Sequence, residues 1–407
     1  MDNTKKRPLD NENDDIRPDD PKKSKVAHEL TTSQAVTNHE NEIVGIGDLC
    51  DDIILQIFKF LSNDTLANMA LVNPKLSRIS KDWTLWKNVH LHNFKKSMEN
   101  IYLDYLQSTT TSLTINGNKV LSESSTVSRK FIMQLENRCP KLTHLSLSNQ
   151  IFFASEIPIR SFHRKLKSLT IENSCIKNIP NNASFICGLN HACPDLENVK
   201  MTFNNWFRPH GLYALAKLEK LTYLSLQGCS QFMDCIPYVS ITAMTGFKSL
   251  QSLDLRLTPI TDHELICFQK LSTLKHIFLE SPLNFNHEGD TTITDLGLSG
   301  FCNNNYYIFD PIPVQMVPDH EGQLQMRIVD REYRDYDADK CQLETLYVRN
   351  YPKVTDVFMK DAAEKYPFLT TLDVTGTSCT VEEIGRYKIQ RPDTKVVWNE
   401  YLEKTEK

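Results

Sequence analysis

The chain is expected to be an α/β protein in which a short three-helix block feeds a horseshoe of parallel strands, behind a tail without fixed structure. Three observations carry that expectation. The unit Leu-x-x-Leu-x-Leu recurs between residues 142 and 374, helical periodicity fills residues 46–91, and residues 1–42 hold no Phe, Tyr or Trp. Composition agrees, because 45 Leu against 13 Gly favours a fold that uses leucine repeatedly over one built on phosphate-cradling loops or dense turns. At 407 residues, 40% apolar and a formal net charge of -5, the chain can bury a large core and is no polycation suited to coating nucleic acid.

Residues 1–42 have too little apolar area to offset the entropy of ordering, so they are expected to be disordered. Lys5, Lys6 and Arg7, with Lys22, Lys23 and Lys25 downstream, resemble a loose bipartite nuclear localisation signal, since an extended chain presents several cationic heads to an import receptor. The interleaved acids Asp19 and Asp20 leave a plain solvated charge run as the other reading. The nucleus is the expected compartment, with the cytoplasm second. Eleven cysteines, an odd number spread from Cys50 to Cys379 with no apolar leader before them, point to reduced thiols. No run approaches the roughly 18 to 20 apolar residues that span a bilayer, and neither a membrane nor a nucleic-acid partner is expected.

From Ile46 to Leu91 the texture changes. Leu49, Ile53, Ile54, Ile57, Phe58 and Leu61 recur at helical spacing on one broad face. Asn63 and Asp64 offer capping oxygens ahead of Leu66, Met69, Ala70 and Leu71, and Pro74 suits the first turn of a third helix. Three short helices enclose little core, so apolar surface is left for a partner, with Ile54, Ile57 and Phe58 expected to face it.

The repeated unit begins at Leu142, Leu166, Leu196, Leu221, Leu250, Leu274, Leu343 and Leu369, and a degenerate copy is expected near Leu113 and Ile115. Spacings of 24 to 30 residues, broken once by a gap of 69, suit units that each supply one parallel strand and one returning helix or loop. Helical runs end at Cys139-Pro140 and Cys193-Pro194, where proline stops the helix, and Tyr366-Pro367 repeats that punctuation. About ten units are expected over residues 105–400. Residues 283–342 carry eleven acids against four bases, and an acidic irregular insert is expected around 302–342.

Catalytic patterns are not apparent. Cys187, His191 and Cys193, or Cys229 and Cys235, lack the spacing of a zinc knuckle, and Cys193 is expected to act as a small buried hydrophobe. No Gly-rich phosphate loop and no His-Glu-x-x-His occur, so no catalytic residue, metal or cofactor is expected. A strand face instead presents the residues that alternate with the buried leucines. Lys200, Tyr223, Arg256, His276, Phe278, Tyr347 and Arg349 are expected to line it, extended by Trp206 and Arg208 in a loop. Aromatic residues and Arg are what interfaces enrich, so these form a candidate substrate-binding strip. Glu172, Asp254, Glu280 and Asp373 on the same faces leave open both a phosphorylated partner and a folded surface read by shape.

The string LCDDIILQIFKFLSNDTLANMALVNPKLSRISKDWTLW, Leu49 to Trp86, resembles an F-box, with Cys50 where proline is usual and Leu76 where tryptophan is common. The repeats with their Cys-Pro turns resemble the cysteine-containing subclass of leucine-rich repeats, and the two motifs stand in the order found in F-box/leucine-rich-repeat proteins. The resemblance implies that Leu49, Cys50, Ile53, Ile54, Ile57, Phe58, Leu61, Leu66, Leu71, Val72, Leu85 and Trp86 dock on a Skp-type adaptor and, through it, a cullin. The repeats would bind a protein substrate for ubiquitination and proteasomal degradation. The chain would then be the non-catalytic substrate-recognition subunit of an SCF-type ubiquitin ligase. A nuclear leucine-rich-repeat scaffold that binds partners without ubiquitination is the alternative.

Overall fold

The computed structural model describes residues 45–118, 124–180, 184–233, 235–282, 293–301, 314–318, 324–328 and 341–399. The basic clusters of the tail and most of the acidic insert lie outside the described residues. The described residues from Ile46 onward form one compact unit.

Three short helices open it: α1 (Asp51–Phe58), α2 (Asn63–Met69) and α3 (Pro74–Ser80). Asp51 and Asp52 place negative charge in the first turn of α1, where the helix dipole favours it. Ser62 Oγ caps α2 by accepting the Thr65 N–H, and Asn73 Oδ1 caps α3 by accepting the Leu76 N–H at 2.8 Å, with Pro74 in the first turn. Ile54, Phe58, Leu66, Leu76, Leu85 and Trp86 meet in the core of this block. Burial of side chains of this size contributes about 1.5 to 3 kcal/mol each. Trp86 also stacks on Tyr105 at 4.5 Å and donates its indole N–H to the Ser80 carbonyl at 2.6 Å.

The first half of the solenoid comprises β1 (Asn88–Phe94), α4 (Glu99–Tyr105), β2 (Ser112–Gly117), α5 (Arg129–Arg138), β3 (His144–Ser148), β4 (Ile151–Phe153), β5 (Ser168–Glu172), β6 (Cys175–Lys177), α6 (Leu189–Ala192) and β7 (Asn198–Thr202). It continues through α7 (Leu212–Leu215), β8 (Tyr223–Ser225), α8 (Ile236–Thr245), β9 (Ser252–Asp254), α9 (Asp262–Phe268), β10 (His276–Glu280) and α10 (Asp295–Phe301). After the two strands of the insert, β11 (Val314–Pro318) and β12 (Leu324–Ile328), it closes with β13 (Thr345–Arg349), α11 (Asp356–Lys365), β14 (Thr371–Asp373), α12 (Val381–Gln390) and β15 (Lys395–Val397).

Eleven of these strands make one parallel sheet in the order β1-β2-β3-β5-β7-β8-β9-β10-β13-β14-β15. Register follows the leucine unit. Leu113, Leu145, Leu169, Val199, Leu224, Leu253, Ile277, Leu346, Leu372 and Val396 stand opposite one another from strand to strand, each buried. One such column from each repeat stacks into a continuous core, which no single repeat could enclose alone. Three Thr-Asp pairs, Thr261-Asp262, Thr294-Asp295 and Thr355-Asp356, lock the helical side. Asp262 accepts Thr294 N–H at 2.7 Å and its hydroxyl at 2.6 Å, Asp295 does the same for Thr355, and Asp356 for Thr380.

Two features depart from expectation. The sheet starts at Asn88, inside the span expected for the helical block, because Val89 and Leu91 alternate with histidines at strand period without the leucine unit. The long gap contains an antiparallel ribbon, β11 on β12, where an irregular insert was expected; alternation in Val-Gln-Met-Val and Leu-Gln-Met-Arg-Ile suits strands, and the surrounding acids and prolines masked it.

Candidate functional site

The helical block has a finished interior and an unfinished exterior. Ile54, Phe58, Leu66, Leu85 and Trp86, all expected at a partner interface, are buried within the chain and hold the block together. That corrects the expectation, since a side chain already desolvated by its own fold has no surface to give a partner. Leu49 and Leu61 are half-buried against the same core. Ile53, Ile57, Leu71 and Val72 point outward, Leu71 being 84% exposed, and Cys50 is exposed as well. Sequence reasoning missed Phe60, 89% exposed, and Trp83, 54% exposed. Phe58 and Phe60 lie two apart on a helix and its closing turn, so both could not face inward, which was the available signal.

Polar contacts frame this surface. Arg78 Nη2 donates to Asp51 Oδ2 at 2.5 Å, a bond that holds the Asp51 carboxyl below its ordinary range. Lys75 Nζ donates to the carbonyls of Gly47 and Leu49 at 2.9 and 2.6 Å, tying the segment before α1 to α3. Asn63 and Asp64, read as caps, serve a different purpose. Asn63 donates to the Leu85 carbonyl at 3.2 Å and accepts the His90 N–H at 2.8 Å; Asp64 accepts the His92 N–H at 3.0 Å and the Tyr102 hydroxyl at 2.5 Å. These bonds fasten α2 to β1 and α4, so block and solenoid join without a linker.

On the sheet, Lys200, Tyr223, His276, Phe278, Tyr347 and Arg349 occupy the positions that alternate with the buried column, and Arg256 stands in the turn just beyond the end of β9. Neighbours along this face are in contact. Lys200 Nζ stands 5.3 Å over the Tyr223 ring, and the Tyr223 and Ser225 hydroxyls donate to Asp254 at 3.5 and 3.2 Å. Asp254 also accepts Arg256 Nε at 2.9 Å and Nη2 at 2.8 Å. The Arg256 guanidinium lies 5.9 Å from the Phe278 ring, Phe278 meets Tyr347 edge-to-face at 4.9 Å, and Arg349 lies 5.0 Å over Tyr347. Arg349 in turn donates to Asp373 through Nε at 2.8 Å and Nη2 at 2.5 Å.

Asp254 and Asp373 are each 1% exposed. They neutralise the two arginines from beneath instead of confronting a partner, and burial together with Asp254 pushes the Tyr223 hydroxyl above its ordinary range. Trp206 does not extend the strip as an open contact. It is half-buried in an aromatic cluster, edge-on to Phe185 at 5.7 Å and to Phe207 at 6.1 Å, while Arg208 is exposed.

Thiol chemistry finds no support in the surroundings of the buried cysteines. Burial pushes Cys139 up to about 11 and Cys193 and Cys229 up to about 12, which leaves each a protonated, weakly polar filler near neutral pH. Among the described residues, no helix is long and apolar enough to cross a membrane.

A family model described as F-box-like matches residues 46–92, the helical block and the beginning of β1. Comparison of the chain with curated proteins returned no match.

Proposed function

We propose that the chain is the substrate-recognition subunit of an SCF-type ubiquitin ligase, its helical block docking on a Skp-type adaptor and its sheet face binding a protein destined for ubiquitination and degradation. The observation that carries this reading is a coincidence of place: the F-box-like match falls on a block whose core is complete while Ile53, Ile57, Phe60, Leu71, Val72 and Trp83 stay in water. Exposed apolar residues gathered in so short a segment mark a surface that is covered in the working assembly.

The chain's contribution is positional. A substrate held on the strip and a conjugating enzyme recruited through adaptor and cullin become parts of one complex, so the substrate lysine meets the activated ubiquitin at a raised effective concentration. The bonds from Asn63 and Asp64 to β1 and α4 support this, because a joint without slack keeps the substrate face in one orientation relative to the docked block. On the substrate side, Arg256 and Arg349 already hold buried carboxylates, which favours a partner read by aromatic and shape contacts over one read by free guanidinium forks. The test is co-purification: tagged full chain should bring down a Skp-type adaptor and a cullin, and their absence from the purified complex contradicts the proposal.

A further inference from the structure

Resting on the reading that the sheet face receives a protein, we infer that the rim of that face carries a built apolar anchor, Phe203, with the half-buried Leu257 two strands further along, for a partner segment bearing an apolar side chain close to a carboxylate.

The observation is one of conformation. Leaving six of the strands, the chain turns through a residue whose N–H donates to a carbonyl of the next repeat: Asn149 to Glu172, Asn173 to Thr202, Phe203 to Gln227, Gly228 to Arg256, Leu257 to Glu280 and Asn350 to Thr375. All six are left-handed, with φ of 54°, 43°, 54°, 67°, 56° and 59°. Asn and Gly enter that region readily, whereas a bulky L-residue there is strained. The first asparagines also bond to one another, Asn173 donating to Asn149 at 2.6 Å and Asn149 to Asn116 at 2.8 Å. Phe203 interrupts this ladder with a ring that is 43% exposed.

Packing does not account for it. Phe247, also bulky and left-handed at φ 49°, is 2% exposed and fills core, so burial explains its strain. Phe203 has no such reward. The next repeat even makes room for it: a Cβ on Gly228 would lie 2.4 Å from Phe203 Cδ1, so the ring rests on space that only glycine leaves. Strain kept at one rung and space kept at the next, to hold an aromatic ring in water, point to a ligand.

Charge narrows the occupant. Lys200, on the strand that ends beside Phe203, is exposed and forms no ion pair among the described residues, its Nζ resting over Tyr223. Glu172, across from Thr202 on β5, forms no ion pair with it. Arg256, next to Leu257, is occupied by Asp254. Lys200 therefore offers an ammonium suited to one carboxylate, and at about 3.3 Å per residue an extended partner would place that carboxylate roughly two to four residues from its apolar side chain.

The test uses an unphosphorylated display library of random peptides about twelve residues long, selected on the full chain, with affinities of the selected peptides then measured against variants. Selected peptides should share an apolar residue near Asp or Glu, and lose about tenfold or more in affinity on Phe203→Asn and on Lys200→Glu. Phe203→Asn should melt at or above the wild-type temperature, since asparagine accepts the left-handed turn; Leu257→Asn provides an independent variant. A library yielding no peptide that distinguishes wild type from Phe203→Asn overturns the inference, as does an affinity loss matched by a fall in melting temperature. Adaptor co-purification of the same variants separates the two readings, because its failure already in the wild type removes the ligase assignment and leaves the peptide result to be judged alone.

Discussion

The imidazole of His163 is 2% exposed, accepts the Lys165 N–H at 3.1 Å, and is held below its ordinary value of 6.5, chiefly by burial. A histidine kept neutral by folding stabilises fully above its unfolded pKa and yields that stability as the pH falls from there toward the folded value. Melting temperature should therefore drop as the pH falls below about 6.5, and His163→Gln should drop less; equal losses in a thermal-unfolding series would contradict this. Buried thiols make a parallel case. Alkylation of the folded chain followed by mass analysis should mark Cys50 and Cys187, which are exposed, and spare Cys139, Cys193 and Cys229. The burial of Cys193 was legible from its Cys-Pro position. Which apolar residues of α1 face outward was not: neighbours differ by about 100° around the axis, and only packing on α2 and α3 decides that Ile54 and Phe58 go in while Ile53 and Ile57 stay out.

Among elements, the leucine unit announced its strands well, since a parallel solenoid repeats one chemical demand at each rung. It was silent on β1 and β15, which meet that demand with Val89, Leu91 and Val396, and on the ribbon of the insert. The insert itself is topologically optional. β10 pairs directly with β13, His276 opposite Thr345, and α10 fills the helical position between them. Replacing residues 303–340 by a short Gly-Ser linker should leave the melting temperature within about 3 °C of wild type, because loop closure depends weakly on length. A larger fall in calorimetry would mean that the insert packs on the repeats.

Across the whole molecule, helical block and solenoid are one folded unit, fastened through Asn63, Asp64 and Tyr102. Lys22, Lys23 and Lys25, which lie outside the described residues, changed to Ala should shift the protein toward the cytoplasm without altering adaptor binding; unchanged nuclear fluorescence favours the solvated-charge reading. The general architecture could be read from sequence because both motifs are local strings. The candidate strip could be read only in part, since the carboxylates beneath Arg256 and Arg349 act through burial that no linear pattern displays. The central claim, an outward apolar surface that docks an adaptor on a core that does not, is tested most directly by titrating purified Skp-type adaptor against the full chain and two variants while recording their melting temperatures. Ile57→Lys should lose binding with its melting temperature unchanged, and Ile54→Ala should lose about 2 to 4 kcal/mol of stability while the fraction still folded binds as wild type does. Undiminished binding by Ile57→Lys would contradict the account.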